Sequence, residues 1–196
     1  MKGLVQMTAW GDESMHSQDL MHDREGVYYL GVCICAIEED CVRRRLLSVI
    51  KKKVKKLHWR QMTRTEKKKS IQSIARLPLK YLIVKAAPLD GTIKPERARR
   101  KCLEMLLQVL EQDYGVTDVV LESREASQDD RDLKCIMGLR SRQMISNLRV
   151  TFAPGTSDAR LWIPDQILGA VGDMYMGTMH FPELTDCIDL RSIRLC

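Results

Sequence analysis

Aromatic side chains make up only 5% of this 196-residue chain, too few for an extended stacking platform. No apolar run approaches the roughly 18 residues of a membrane span. The N-terminus has no charged segment leading into an apolar signal core. These absences predict a soluble, cytoplasmic protein with no membrane partner. Cysteine occurs seven times, an odd count with no C-x-x-C pair, which argues against a zinc site and against a disulfide framework. Most of the cysteines lie in apolar runs, where a thiol behaves as a small hydrophobe. No serine, cysteine or histidine-triad constellation stands out. With no internal repeat, no low-complexity linker and 44% hydrophobic residues, the chain can bury a full core, and a single domain over 1–196 is expected.

Charge is present in quantity and unevenly placed. The formal net charge is +6 and the pI about 9.0. Between Arg43 and Lys69 there are 13 Lys or Arg residues and one acid, Glu66, whereas Glu111 to Asp132 is mostly acidic. A concentrated basic face attracts phosphate backbones through Coulomb steering and counterion release. Lys51, Lys52, Lys55 and Lys56 are its densest part, and they serve equally well as a solvated helix face.

Periodicity predicts alternating elements. A strand over Leu4–Trp10 is expected to end at Gly11 in a tight exit that presents Asp12. Val27–Ile37 is a long apolar, β-branched run without helical period, and reads as a central strand. Apolar residues at Val42, Leu46, Val49/Ile50, Val54 and Leu57 define a helix from Glu39 to Leu57. Thr63-Arg64-Thr65-Glu66 has the capping-box form and opens a helix to about Arg76. A strand follows over Leu79–Ala87, then a long helix from Pro95, a short strand over Asp118–Glu122, and a helix capped at Ser127 that runs to about Ile145. Leu148–Ala153 makes a fifth strand, and Pro164 opens a final helix to about Met176. The segment after Phe181 is weakly patterned. The order predicts an α/β layer structure with a partly parallel sheet, and a basic helical insertion over 39–76.

Three acidic segments then carry the chemistry: Trp10-Gly11-Asp12-Glu13-Ser14, Leu121-Glu122-Ser123-Arg124 and Trp162-Ile163-Pro164-Asp165. Each places a carboxylate at a strand end or in a helix's first turn. If the strands that end in Asp12 and Glu122 are parallel neighbours, their carboxylates emerge side by side at the carboxyl end of the sheet. Hard oxygen donors gathered there suit Mg²⁺ or Mn²⁺ and the hydrolysis of phosphate esters.

Gly11-Asp12-Glu13-Ser14, Leu57-His58-Trp59-Arg60, Leu121-Glu122-Ser123-Arg124 and Leu161-Trp162-Ile163-Pro164-Asp165 with Gly169-Ala170-Val171 together resemble a bacterial family, domain of unknown function 3800. Their order and spacing match across nearly the whole chain. The resemblance implies a ribonuclease H-like fold, a mixed five-stranded sheet that gathers acids around one or two divalent metals. An aspartate on the first strand, a glutamate on the fourth and an aspartate on the last helix are similar to the arrangement of Holliday-junction resolvases. Asp12, Glu122 and Asp165 occupy those places. The helical insertion departs from the superfamily's simplest plan.

Each residue also has a plainer reading. Asp12 beside Gly11 can start a turn, Glu122 can pair with Arg124, and Asp165 is an ordinary first-turn acid. Alternation sends Glu13 to the opposite face from Asp12. Asp129, Asp130 and Asp132 read as helix-start acids, and Asp173 lies two turns beyond Asp165. His58 can orient a phosphate, shuttle a proton or be structural. Arg60 offers a bidentate fork for phosphate, and Trp59 either stacks on a base or packs in the core. The expected function is metal-dependent nucleic-acid cleavage, with two metals about 3.5 to 4 Å apart that activate water and stabilise the leaving oxygen. A non-catalytic nucleic-acid-binding module and a protein whose basic helix docks an acidic partner are the alternatives. A homodimer would suit a duplex substrate.

Overall fold

The computed structural model describes residues 7–50 and 54–196. Among these residues, six strands form one mixed sheet: β1 (Thr8–His16), β2 (Val27–Cys35), β3 (Lys80–Ala87), β4 (Asp118–Glu122), β5 (Arg149–Ala153) and β6 (Ile188–Arg194). The α-helices among the described residues are α1 (Glu39–Leu47), α2 (Arg64–Ile74), α3 (Pro95–Gln112), α4 (Ala126–Ser141) and α5 (Trp162–Tyr175). The strand order is β5-β4-β1-β2-β3-β6. β2 pairs antiparallel with β1 and with β3, and the pairs β1–β4, β4–β5 and β3–β6 are parallel.

Every residue of β2 is buried because helices cover both of its faces, the situation in which a strand reads as a continuous apolar run. Alternate side chains of β1 and β2 go to opposite layers. Ala9, Tyr28, Leu30 and Val32 join Cys102, Leu103 and Leu106 of α3 and Leu139 of α4. Trp10, Val27, Tyr29 and Cys33 join Leu46 of α1, Ile71 of α2 and Trp162, Ile167 and Leu168 of α5. Each large aliphatic side chain buried this way contributes roughly 1.5–3 kcal/mol.

Four expectations need correction. The first strand does not end at Gly11: β1 stays paired with β2 from Thr8 opposite Cys35 to His16 opposite Val27. Positions 4–6 of the expected strand lie outside the described residues. Gly11 serves close packing rather than a turn, since a Cβ there would stand 2.7 Å from Leu121 Cδ2 and 2.9 Å from Val32 Cγ1. The helix expected to reach Leu57 ends at Leu47, with Ser48 as its C-cap. The chain must leave that axis to bury Leu57 and Trp59 in the layer under α5. α4 begins at Ala126, not Ser127, with the Glu125 N–H donating to Gln128 Oε1 at 3.4 Å, and it stops at Ser141. Finally, the sheet has one strand more than expected: the unassigned segment after Phe181 supplies β6, which adds parallel to β3 from Tyr81 opposite Ile188 to Ala87 opposite Arg194.

Candidate functional site

The parallel pairing of β1 with β4 brings the first two acids together. Gly11 stands opposite Leu121, so the next residues, Asp12 and Glu122, emerge side by side. Strand alternation puts Asp12 on the α5 side with Trp10, and Glu13 on the α3–α4 side with Ala9. Asp165, in the first turn of α5, completes the group. Its Oδ2 accepts the Trp59 backbone N–H at 2.9 Å and the Gln166 side-chain amide at 2.9 Å. Asp12 Oδ1 accepts the Glu13 N–H at 2.7 Å.

Burial holds the Asp12 carboxyl well above the usual carboxylate range, and the charges of Glu122 and Asp165 push it further; the Glu13 N–H and Lys56 oppose this. Asp165 is also raised, chiefly by burial, against the opposing pull of the Trp59 N–H, Lys56 and His58. These three carboxylates therefore share one electrostatic neighbourhood. Lys56 belongs to it too. Rather than lying on the basic surface, its ammonium is ion paired with Glu122 Oε1, and its charge reaches both aspartates.

Glu122 Oε2 is buried without a hydrogen-bond partner among the described residues. Gly155 makes room for this carboxylate: a Cβ at 155 would lie 2.6–2.7 Å from its carboxyl atoms. The Gly155 carbonyl accepts the Trp162 indole N–H at 2.6 Å, so the fully buried Trp162 pins the cradle. An all-oxygen donor set with one orphaned oxygen fits a hard divalent cation in kind. Among the described residues, however, no three His, Cys, Asp or Glu side chains already stand as a metal-ligand cluster, and the local positive charge comes from Lys56.

A cleft of about 600 Å³ borders this centre. His16, His58, Arg60, Asp165, Arg124 and Glu96 lie in its wall, while Asp12, Glu122 and Lys56 lie outside its lining. Arg60 is exposed. His16 was not foreseen. Two steps of alternation beyond Asp12, it follows Ser14 on the same strand face, and its Nε2 lies 3.3 Å from Ser14 Oγ. Burial and the Arg60 charge lower its pKa, so the imidazole is neutral at neutral pH. Its ring sits where a side chain at Gly172 would be.

Trp59 packs in the core. Its ring rests on Gly169, where a Cβ would collide with it. Its Nε1 donates to Asp173 at 3.1 Å, and Phe181 meets it edge-on at 5.7 Å. Lys67 sits 4.7 Å over the ring and bonds Asp173 at 2.9 Å. Lys55 is exposed; Lys51 and Lys52 lie outside the described residues.

Glu13 belongs to a separate polar cluster on the other face. It accepts from the Tyr28 hydroxyl and from Arg99. Arg99, 2% exposed, also donates to Asp132 Oδ2 from Nε at 2.8 Å. Arg124 does not pair with Glu122: its guanidinium donates to Glu96 at 2.7 Å and to Asp132 at 3.1 Å. Asp132 is thus a buried ion-pair acid, and Asp129 accepts the Arg124 N–H at 3.1 Å.

No family model matches the chain, and no curated protein matches it either. Among solved structures it is similar to the ribonuclease HII of a PCNA:RNase HII complex from Archaeoglobus fulgidus, with a TM-score of 0.56 and 14% identity over 87% of this chain and 75% of that one. Such a likeness is one of fold. The fold is ribonuclease H-like: a mixed sheet of six strands flanked by five helices.

Proposed function

We propose that the protein is a divalent-metal-dependent nuclease that hydrolyses phosphodiester bonds of DNA or RNA, and that it belongs with the domain of unknown function 3800 family. The observation that carries this reading is the parallel β1–β4 register, which sets Asp12 beside Glu122 under the first turn of α5. The fold likeness to a ribonuclease HII supports it. Asp12, Glu122 and Asp165 would hold Mg²⁺ or Mn²⁺, which supplies positive charge for the phosphoryl oxygens and a more acidic water.

The chain's own residues divide the remaining work. Lys56 would release Glu122 as a cation binds, and Gly155 leaves the freed carboxylate room to turn. Arg60, exposed at the cleft wall, fits a bidentate hold on a phosphate. His58, beside Asp165, is positioned to hold or pass a proton at the leaving oxygen. Trp59 keeps the His58-Trp59-Arg60 turn on α5 and does not stack on a base.

The Lys56–Glu122 ion pair, which fills the acidic centre with a lysine charge, favours a second reading, a nucleic-acid-binding module that keeps the fold without cleaving. Labelled single-stranded, duplex, hybrid and branched substrates incubated with Mg²⁺, Mn²⁺ or Ca²⁺ decide between the two. The nuclease gives product with Mg²⁺ or Mn²⁺ and far less with Ca²⁺, and Asp12→Asn, Glu122→Gln and Asp165→Asn abolish it in folded protein. Product that persists in chelator, or in all three variants, refutes the metal mechanism. Binding without product under every metal is the module's signature.

A further inference from the structure

A second surface is built to take a phosphate backbone. α3 and α4 pack side by side, and a groove of about 560 Å³ lies against their N-terminal halves, lined by Lys94, Arg97, Arg100, Arg131 and Lys134 with Glu96, Asp132 and Cys135. Its two acids are engaged inward. Asp132 is 4% exposed and holds Arg99 and Arg124, and Glu96 Oε1 takes Arg124 at 2.7 Å. Arg131 approaches Glu96 only at 3.9 Å. Lys94, Arg97, Arg100 and Lys134 are exposed, and no ion pair engages them among the described residues. The groove therefore presents uncompensated positive charge to solvent.

Its position adds a direction. Glu96 lines both this groove and the cleft beside the carboxylates, so the two meet across the first turn of α3. Along that helix, Lys94, Arg97 and Arg100/Lys101 recur every three or four residues. They form a stripe about 10 Å long at 1.5 Å per residue, on the order of three base-pair rises of a duplex. The insertion, by contrast, spends much of its charge internally: Arg43 on Glu39, Arg45 on the Ser73 carbonyl, Arg64 on the Thr178 carbonyl, Lys56 on Glu122 and Lys67 on Asp173.

We infer that the α3–α4 groove binds the phosphodiester backbone of nucleic acid where it leaves the cleft, and that Arg97, Arg100 and Lys134 are its contacts. The occupant's identity rests on the nuclease reading; the groove's contribution to binding is measured without turnover.

The test is equilibrium binding of labelled duplex and single-stranded oligonucleotides across a salt series in chelator. The Arg97→Gln/Arg100→Gln/Lys134→Gln protein is compared with the unaltered chain and with Lys68→Gln/Lys69→Gln/Arg76→Gln, a control that removes as much exposed charge from the insertion. All six side chains are exposed, and circular dichroism confirms the folds. The groove variant should lose affinity and flatten the slope of log K against log salt by about 0.9 per contact on duplex, or about 0.7 on single strands. The control should stay near the unaltered slope. An unchanged slope in the groove variant, equal flattening in the control, or no nucleic-acid binding by the unaltered chain overturns the inference. The two ideas fail separately: absence of product with Mg²⁺ or Mn²⁺ in the cleavage assay sinks the nuclease reading and leaves these binding slopes, and hence the groove, untouched.

Discussion

Lys56, on the segment that follows α1, is ion paired with Glu122 at the end of β4, 66 residues further along the chain. The two side chains are 9% and 19% exposed, so the pair is screened little by solvent. It links the insertion to the acidic centre and gives Glu122 the one hydrogen-bond partner its carboxylate has among the described residues. Lys56→Met should therefore destabilise metal-free protein by about 1–3 kcal/mol, the cost of leaving a buried acceptor unpaired. Saturating Mn²⁺ should shrink that deficit, because a cation that binds only the folded chain stabilises it by mass action. Thermal melts of both proteins in chelator and in Mn²⁺ check this. A deficit that is the same in both would show that Lys56 and the cation do not share a site.

Gly155 offers a second probe of the same carboxylate. A methyl group at 155 would stand 2.6 Å from Glu122 Oε1, and Trp162 holds the backbone there through its indole N–H, so the carboxylate must give way. Gly155→Ala is expected to cost about 1–3 kcal/mol as an overpacked position. It should also weaken Mn²⁺ affinity, measured by calorimetry. Loss of stability with unchanged Mn²⁺ affinity would assign the glycine to packing alone.

How much of this was open to sequence reading depends on the strand concerned. β2 and β4 are legible because both faces of β2 are covered and β4 is a short apolar run closed by an acid. The adjacency of Asp12 and Glu122 was legible only conditionally: it required β1 and β4 to be parallel neighbours, and strand order is set by long-range packing. His16 escaped because the strand was ended at Gly11. Had it been extended, Asp12, Ser14 and His16 would have fallen on one face at period two. β6 escaped because Asp189, Arg191 and Arg194 on a largely exposed edge strand leave no apolar run to find. Lys56 could not be told from its neighbours, since nothing in a lysine-rich run marks which ammonium turns inward.

Arg99 was equally unmarked, a charge inside the apolar face of α3, and its surroundings make a stability prediction. It sits between Glu13 and Asp132 with Tyr28 alongside. Arg99→Met removes one of the two arginines that hold a 4% exposed carboxylate, leaving it only Arg124, and breaking a buried pair from one side costs about 3–5 kcal/mol. The double variant Arg99→Met/Asp132→Leu should recover part of that loss, because the more deeply buried of the two carboxylates that Arg99 holds is then gone as well, leaving only Glu13 beside the new methionine. Chemical denaturation of the double variant and of both single variants, Arg99→Met and Asp132→Leu, tests it. A double variant as unstable as the sum of the single ones would mean that Arg99 acts mainly through Glu13 and Tyr28.

The pH dependence of metal-free stability follows from Asp12 and Asp165. Both carboxyls are raised in the folded protein, so the folded chain holds protons that the unfolded chain gives up. Stability from such groups is fully present below the ordinary carboxylate pKa, about 4, and is lost as pH rises through the raised folded values. Other acids work the opposite way: Glu39 and Asp189 are lowered by their arginine partners and add stability as pH rises. The whole profile therefore mixes both signs, and a difference is needed to isolate one group. Asp12→Asn keeps the side chain's size but has no proton to lose. In chelator, the variant should melt close to the unaltered protein at low pH and progressively above it as pH rises toward neutrality. Mn²⁺ should close or reverse the gap, since a cation replaces the proton and binds better as the carboxyls ionise. Melting temperatures of the two proteins from pH 4 to 8, with and without Mn²⁺, give the result. A gap that stays constant with pH would mean that Asp12 titrates alike in the folded and unfolded chain.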